Sequence, residues 1–157
     1  MDSYSAVLQR WDRTFLLLHL FLLQSSGEIY SHAINRLKYG GRNLTDHMIQ
    51  LLSEYGYNVD RQIAQDIKER LCYVALDYEE ELATAYCTKT IEQSYQLPNG
   101  EEIIIGNERF HCAEPLFGQG LIDRENQGIV KLLHDTVMKC PINQRRDIRK
   151  NIILAGG

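Results

Sequence analysis

Basic charge is in short supply in this 157-residue chain, which sets 17 lysines and arginines against 21 aspartates and glutamates for a formal net charge of −4. A protein that grips a phosphate backbone is normally basic overall or carries a basic stripe, so nucleic acid is not the expected partner. Proline and tryptophan are scarce too, at three and one, while 44% of residues are hydrophobic and 24% charged, the balance of a folded globular domain rather than a disordered tract or a coiled coil. A chain of this length buries roughly 70% of its unfolded surface and needs no staple to hold a core. The four cysteines, Cys72, Cys87, Cys112 and Cys140, stand 15, 25 and 28 residues apart, with no Cys-x-x-Cys and no paired histidines to complete a zinc site. Reduced, buried thiols are the expectation, which points to the cytosol; two disulfides are the alternative.

A membrane-spanning run is also missing. The stretch Phe15 to Leu23 is almost continuously apolar, follows Arg10 and Arg13 and precedes Ser25-Ser26-Gly27. It falls well short of the roughly 20 residues a bilayer requires. In outline it resembles the apolar part of a signal peptide, but Asp2 and Asp12 stand beside the arginines. The plainer reading is a buried strand or helix, which periodicity does not separate in so short a run.

What is present is mostly helical patterning. Leu44, Met48, Leu51, Leu52 and Tyr55 recur at three- and four-residue spacing from Asn43 onward, with Asn43 or Thr45 as N-cap and Gly56 as terminator. Ile63, Ile67, Leu71 and Val74 mark a second helix after a short loop, so the two should pack as neighbours. Asp77-Tyr78-Glu79-Glu80-Glu81 opens a third, its acidic residues placed where the positive end of a helix dipole favours them. Gln93–Leu97 and Glu102–Ile105 flank Pro98-Asn99-Gly100 and read as a β-hairpin. Asn107 to Phe117 predicts one further helix before the breaker Gly118-Gln119-Gly120. Ile129, Leu132, Leu133, Thr136 and Val137 predict another, ending near Cys140-Pro141, and Asn151 to Leu154 reads as a short buried strand running into Ala155-Gly156-Gly157. The fold class is α/β or α+β with helices dominant.

A strand ending in Gly-Gly suits close approach of backbone N–H groups to an anion, although a frayed terminus looks the same. Asp66-Ile67-Lys68-Glu69-Arg70, read alone, is a solvated helix face. Arg145, Arg146, Arg149 and Lys150 read likewise as a solvated face, with an acidic-partner site as the alternative. His32 and His111 lack a second ligand at metal spacing and read as structural or surface histidines. Asn43-Leu44-Thr45 fits a glycosylation acceptor that only a secreted chain would use.

Longer words change the weight of these features. Asn43-Leu44-Thr45-Asp46, Asp66 through Leu76, Ser94-Tyr95-Gln96-Leu97-Pro98-Asn99-Gly100, Ile105 through Phe110, Met138-Lys139-Cys140 and Ile153-Leu154-Ala155-Gly156-Gly157 occur in order. Through them the chain, from about Gly27 to Gly157, resembles the actin and actin-related protein family. That resemblance implies an α/β fragment of an ATPase domain: a helix-rich smaller subdomain with a β-hairpin, plus part of the larger subdomain of the family's second lobe. It implies binding of ATP with Mg2+, filament formation, actin or other cytoskeletal proteins and further copies of itself as partners, and a cytoplasmic, cytoskeletal location. Neither nucleic acid nor a membrane is expected as partner.

Carried over residue by residue, the resemblance puts Gly41 and Arg42 where the chain enters the smaller subdomain, Lys68 and Glu69 on the adenosine-facing helix, and Gly156 and Gly157 at the glycine turn under the nucleotide. A carboxylate such as Glu69 accepts hydrogen bonds from ribose hydroxyls, and Lys68 offers an ammonium and an apolar stem; as neighbours on a helix they would flank the ligand. Leu121 and Ile122, in the loop Phe117 to Arg124, correspond to the apolar loop that contacts neighbouring subunits in the family's filaments, here with Asp123 and Arg124 beside them. Departures from the pattern set further expectations. Gln65 stands where the family usually has arginine, and the loop Tyr57 to Gln62 is about four residues shorter than in actin, a cheap change at a surface. Nothing matches the phosphate-binding hairpins, the metal-binding carboxylate or the water-positioning groups, so the chain is expected to be a truncated member without the slow ATPase. Residues 1–26 match nothing in the family and are set apart from an actin-like domain at 27–157. Two other readings stand beside this one: a piece of a full-length ATPase, and a secreted or membrane-associated interaction module directed by residues 14–26.

Overall fold

The computed structural model describes residues 5–9, 19–23, 31–33, 35, 40–118 and 128–155. Gly156 and Gly157, and Gln119 to Arg124 with Leu121 and Ile122 among them, lie outside the described residues, as does Phe15 to Leu18 of the apolar run. Two compact units are present, one made of residues 1–41 with 123–157 and the other of residues 42–122.

The central unit is built on helices α1 (Gly41–Glu54) and α2 (Arg61–Leu71). Leu44, Thr45, Met48, Leu51 and Leu52 make one buried stripe along α1, and Ala64 and Ile67 are the buried residues of α2. Because that stripe extends back to a Thr45 that is itself buried, the helix starts at Gly41; Asn43 and Thr45 fall in its first turn and not at the expected cap. The same burial removes Asn43-Leu44-Thr45 from the surface-loop setting a glycosylation acceptor needs. Gly56 ends the helix as expected. Its φ of 86° lets its N–H reach the Ser53 carbonyl at 2.9 Å while the Tyr57 N–H reaches Leu52 at 2.9 Å. That pair of bonds is the Schellman arrangement, which satisfies two carbonyls the helix end would otherwise orphan. Tyr55, expected in the apolar stripe, is exposed instead and donates its hydroxyl to Asn107 Oδ1 at 3.1 Å.

The predicted packing of α1 against α2 is present in two side-chain links: Lys68 Nζ donates to Thr45 Oγ1 at 3.0 Å, and Arg61 pairs with Asp46. Val74, expected on α2, lies beyond its end and is exposed. Helix α3 (Tyr78–Cys87) opens on its acidic run as predicted, with Asp77 accepting the Glu80 N–H at 3.1 Å as a true N-cap. No residue of α3 is buried.

The hairpin consists of β3 (Gln93–Gln96) and β4 (Glu102–Ile105), antiparallel with Gln93 opposite Ile105 and Gln96 opposite Glu102. Gly100 takes the positive φ of 88° in its turn, and Asn99 Oδ1 accepts the Glu101 N–H at 3.0 Å. Ile103 and Ile105 alternate into the core with Glu102 and Ile104 outside, and Tyr95 ties the other strand to α2 by donating to Asp66 Oδ2 at 2.6 Å.

The single helix expected over Asn107–Phe117 is interrupted. A short helix α4 (Glu108–His111) is followed by a 3-10 turn at Glu114–Leu116. Pro115 has no N–H to give the His111 carbonyl and its ring crowds that turn, so the chain tightens instead of continuing. Glu108 is buried but satisfied, since its carboxylate accepts the Gly106 N–H at 2.6 Å. Phe110 sits at the centre, fully buried, with its ring 5.2 to 6.1 Å from those of His111, Tyr78 and Tyr73.

In the other unit, β1 (Ser5–Gln9) lies between β2 (His19–Leu23), to which it is antiparallel, and β5 (Ile152–Ala155), to which it is parallel. The end of the apolar run is thus strand rather than helix. Strand β1 carries no periodic signal of its own, and its pairing partner β5 is far away in sequence. Ile152 at the head of β5 is 40% exposed, against the expectation of a wholly buried strand. Helix α5 (Gly128–Met138) follows its predicted pattern, burying Thr136 and Val137, and ends as predicted just before a buried Cys140. Helix α6 (Arg145–Lys150) resolves the basic cluster into two roles. Arg145 donates to the carbonyls of Cys140 at 2.9 Å and Met138 at 2.8 Å, capping the end of α5 where a cation is favoured. Arg146, Arg149 and Lys150 are exposed, as a solvated face requires.

Candidate functional site

Helix geometry separates Lys68 from Glu69. Lys68 is half-buried and leans across α2 onto the first turn of α1, where its ammonium meets the Thr45 hydroxyl. Half-burial of the side chain with its ammonium hydrogen-bonded is the usual compromise for a long cationic residue. Glu69, about 100° further round the helix, is exposed and held by Gln65 Nε2 at 2.9 Å. Gln65 thus orients the carboxylate without neutralising it. Arg42 is exposed in the first turn of α1, and Gly41 opens that helix.

Sequence reasoning picked Lys68 and Glu69 but missed Thr45 as the anchor of Lys68. Nothing in the local pattern says which residue of α2 would reach Thr45.

A second cluster was not foreseen as a unit. The His111 ring lies 2.9 Å from the Tyr78 hydroxyl through Nε2, and His47 on α1 is close enough to His111 for their charges to oppose each other. Burial holds the His111 pKa below its ordinary value. For His47 burial is again the first cause, followed by the charge of His111, with Glu54 opposing both; its Nδ1 is buried without a hydrogen-bond partner. Both histidines are therefore neutral in the folded chain at a pH where they protonate in the unfolded chain. Stability should be flat above neutrality, decline as pH falls through the unfolded-state value near 6.5, and level off below the folded-state values. Urea midpoints measured from pH 8 to pH 5 check this, and His47→Leu should remove part of the decline.

The four cysteines are free thiols, as expected, but they are not uniformly buried: Cys112 and Cys140 are, Cys72 is half-buried and Cys87 is exposed. An open groove of about 460 Å³ lies along Tyr73–Asp77, Glu80 and Glu81 and contains neither Lys68 nor Glu69. Its rim carries carboxylates and no cation, the wrong charge for a phosphate. Among the described residues no three His, Cys, Asp or Glu side chains converge to hold a metal ion, and no helix is long and apolar enough to cross a membrane.

With this geometry in hand, comparison with known families is decisive on one point. The actin family model matches residues 52–157, well over half of the chain. The chain belongs to the actin family, and the matched span takes in α2, the hairpin, the aromatic cluster around Phe110 and the helices leading to β5.

Proposed function

We propose that this actin-family chain presents the adenosine-contacting part of a nucleotide site on α2 and the first turn of α1. The ligand is ATP with Mg2+. Lys68 and Glu69 make the principal contacts, Gly41 and Arg42 mark the entry to α1, and Gly156 and Gly157 are assigned to the glycine turn by resemblance alone. The observation that carries this reading is the divergence of Lys68 and Glu69: one is pinned to Thr45, the other exposed and steadied by Gln65.

Such an arrangement fits a nucleoside placed between them. The Glu69 carboxylate offers acceptors to the two ribose hydroxyls, and Lys68 lends its stem to the base and its ammonium to a polar edge. Bound Mg2+ would be held by the phosphates, since no described carboxylate cluster is available to it. These residues bind and orient, and the proposed activity is binding without hydrolysis. The wider role is cytoskeletal, in the cytoplasm, through association with actin or with further copies of the chain. Leu121 and Ile122 are the proposed filament contact, and the exposed Val74, Leu76 and Tyr86 in the central unit add apolar surface suited to association.

An equilibrium titration of Mg-ATP into the full chain tests the site. Lys68→Ala should weaken binding about 10-fold or more, the value of one charge-assisted contact. Glu69→Gln should weaken ATP but leave 2′,3′-dideoxy-ATP nearly unchanged, because only the hydroxyls use the carboxylate. Equal affinity for the parent and both variants would remove Lys68 and Glu69 from the site.

A further inference from the structure

The α2 and α4 helices end beside one another on a pair of thiols that the proposed nucleotide contacts leave unused. Cys72 follows the last residue of α2 and Cys112 the last residue of α4. The segments that carry them are stitched on both sides of Cys72: Arg109 Nε donates to the Leu71 carbonyl at 2.9 Å, and the Tyr73 N–H donates to the Arg109 carbonyl at 3.1 Å. Lys68, one turn before Cys72, bonds Thr45 while Cys112 bonds the adjoining Leu44, so both cysteines are brought to the start of α1. Cys112 is buried and, as a thiol, donates to the Leu44 carbonyl at 3.4 Å, whereas Cys72 is only half-buried.

We propose that Cys72 and Cys112 are a redox pair that closes to an intramolecular disulfide when the chain meets a peroxide, joining the end of α2 covalently to the end of α4. Neither residue is a lone cysteine, and the hydrogen bonds on either side of Cys72 hold the two backbones in place before any oxidant arrives.

The protonation chemistry runs the same way. Interaction with Cys72 pulls the Cys112 thiol down, while the Cys72 thiol is pushed up by its interaction with Cys112 and by burial. The pair thus releases a first proton readily and a second reluctantly, and a single thiolate is shared between two sulfurs. Lys68, one turn before Cys72, favours that thiolate on either sulfur. Hydrogen peroxide reaches the pair from the Cys72 side. With the shared proton on Cys112, a sulfur–oxygen bond forms at the Cys72 thiolate as the O–O bond breaks, and the departing hydroxide takes that proton from Cys112 to leave as water. The thiolate of Cys112 then attacks the sulfur of Cys72; the S–S bond forms, the S–O bond breaks, and the departing hydroxide leaves as a second water with a proton from solvent, equal to the one released when the first thiolate formed. Two thiols and one peroxide become one disulfide and two waters, the sulfurs losing two electrons and the peroxide gaining them. Closure removes the Cys112 donor from the Leu44 carbonyl and the thiolate from Lys68.

The test uses the full chain carrying Cys87→Ser, because trypsin cuts after Arg70, Lys89 and Arg109 and would otherwise leave Cys72 and Cys87 on one peptide. After peroxide treatment and alkylation in denaturant, the peptide beginning at Leu71 should be found joined to that beginning at Phe110, at two mass units below their sum. Adding Cys72→Ser should abolish the joined peptide, and Lys68→Met should slow its formation about 3- to 10-fold and move the pH profile of the rate upward. Overoxidised but unjoined cysteines, or disulfides found only between chains, would overturn the proposal. Cys112→Ser removes a buried residue, so Cys72→Ser serves as the deciding variant.

Discussion

Phe110→Ala is expected to cost about 3–5 kcal/mol, the largest single effect in the chain. The ring is fully buried, and it meets Tyr78 edge-on at 5.6 Å, His111 at 5.2 Å and Tyr73 at 6.1 Å. Truncation removes the transfer free energy of the ring and leaves a void that three aromatic neighbours, fixed on three different segments, are poorly able to fill. Against a total stability of about 5–15 kcal/mol for a domain of ordinary size, that loss brings the folded state near its limit. Urea unfolding should show it as a large drop in midpoint at nearly constant slope, with Phe110→Leu costing much less because most of the volume is kept. A loss below about 1 kcal/mol would mean that this cluster does not hold the central unit together.

The second large effect is expected at Arg109. Its guanidinium donates through Nε to the Leu71 carbonyl and through Nη1 to the Ile91 carbonyl, and its carbon centre lies 4.9 Å from the middle of the Tyr73 ring. One side chain thereby satisfies a carbonyl at the open end of α2, another at the entry to the hairpin, and stacks on the segment joining α2 to α3. Arg109→Met keeps much of the stem but strands two carbonyls, and about 2–4 kcal/mol should be lost. Arg109→Lys should recover only part of it, since an ammonium point charge does not span both acceptors as a planar fork does. If lysine restored full stability in urea unfolding, charge and not fork geometry would be the source of the effect.

These two residues also show where the sequence stops being legible. Ile105-Gly106-Asn107-Glu108-Arg109-Phe110 is one of the words that carry the family resemblance, yet from Asn107 its local pattern predicts only a helix, which Pro115 cuts short. That Phe110 is the hub and Arg109 the brace depends on segments from residues 71–78 and from Ile91 arriving at the same place. No periodicity encodes such a meeting. The same division runs through the candidate site. Lys68 and Glu69 were identified from one continuous word, and helix geometry alone requires them to diverge, but the partners that give each its role were decided elsewhere: Thr45 on the neighbouring helix for Lys68, and Gln65 one turn back for Glu69.

What the sequence determined by itself was local or nearly so. The apolar spacing of α1, α2 and α5 follows from helical period, the stop at Gly56 from its positive φ, the acidic opening of α3 from Asp77 as cap, and the hairpin from its Asn-Gly turn. Family membership was legible as well, because ordered words of several residues survive without any knowledge of contacts. Only the tertiary structure decided that Thr45 is buried rather than a cap, that Arg145 closes the end of α5, that His111 meets Tyr78, and that Arg109 ties the end of α2 to α4. Strand β1 belongs with these, since a short strand exists only through its neighbours, and one of its two, β5, lies at the other end of the chain. Each of these features depends on groups distant in sequence arriving within a few ångströms of one another, and burial, hydrogen-bond satisfaction and pKa respond to that distance rather than to the order of residues.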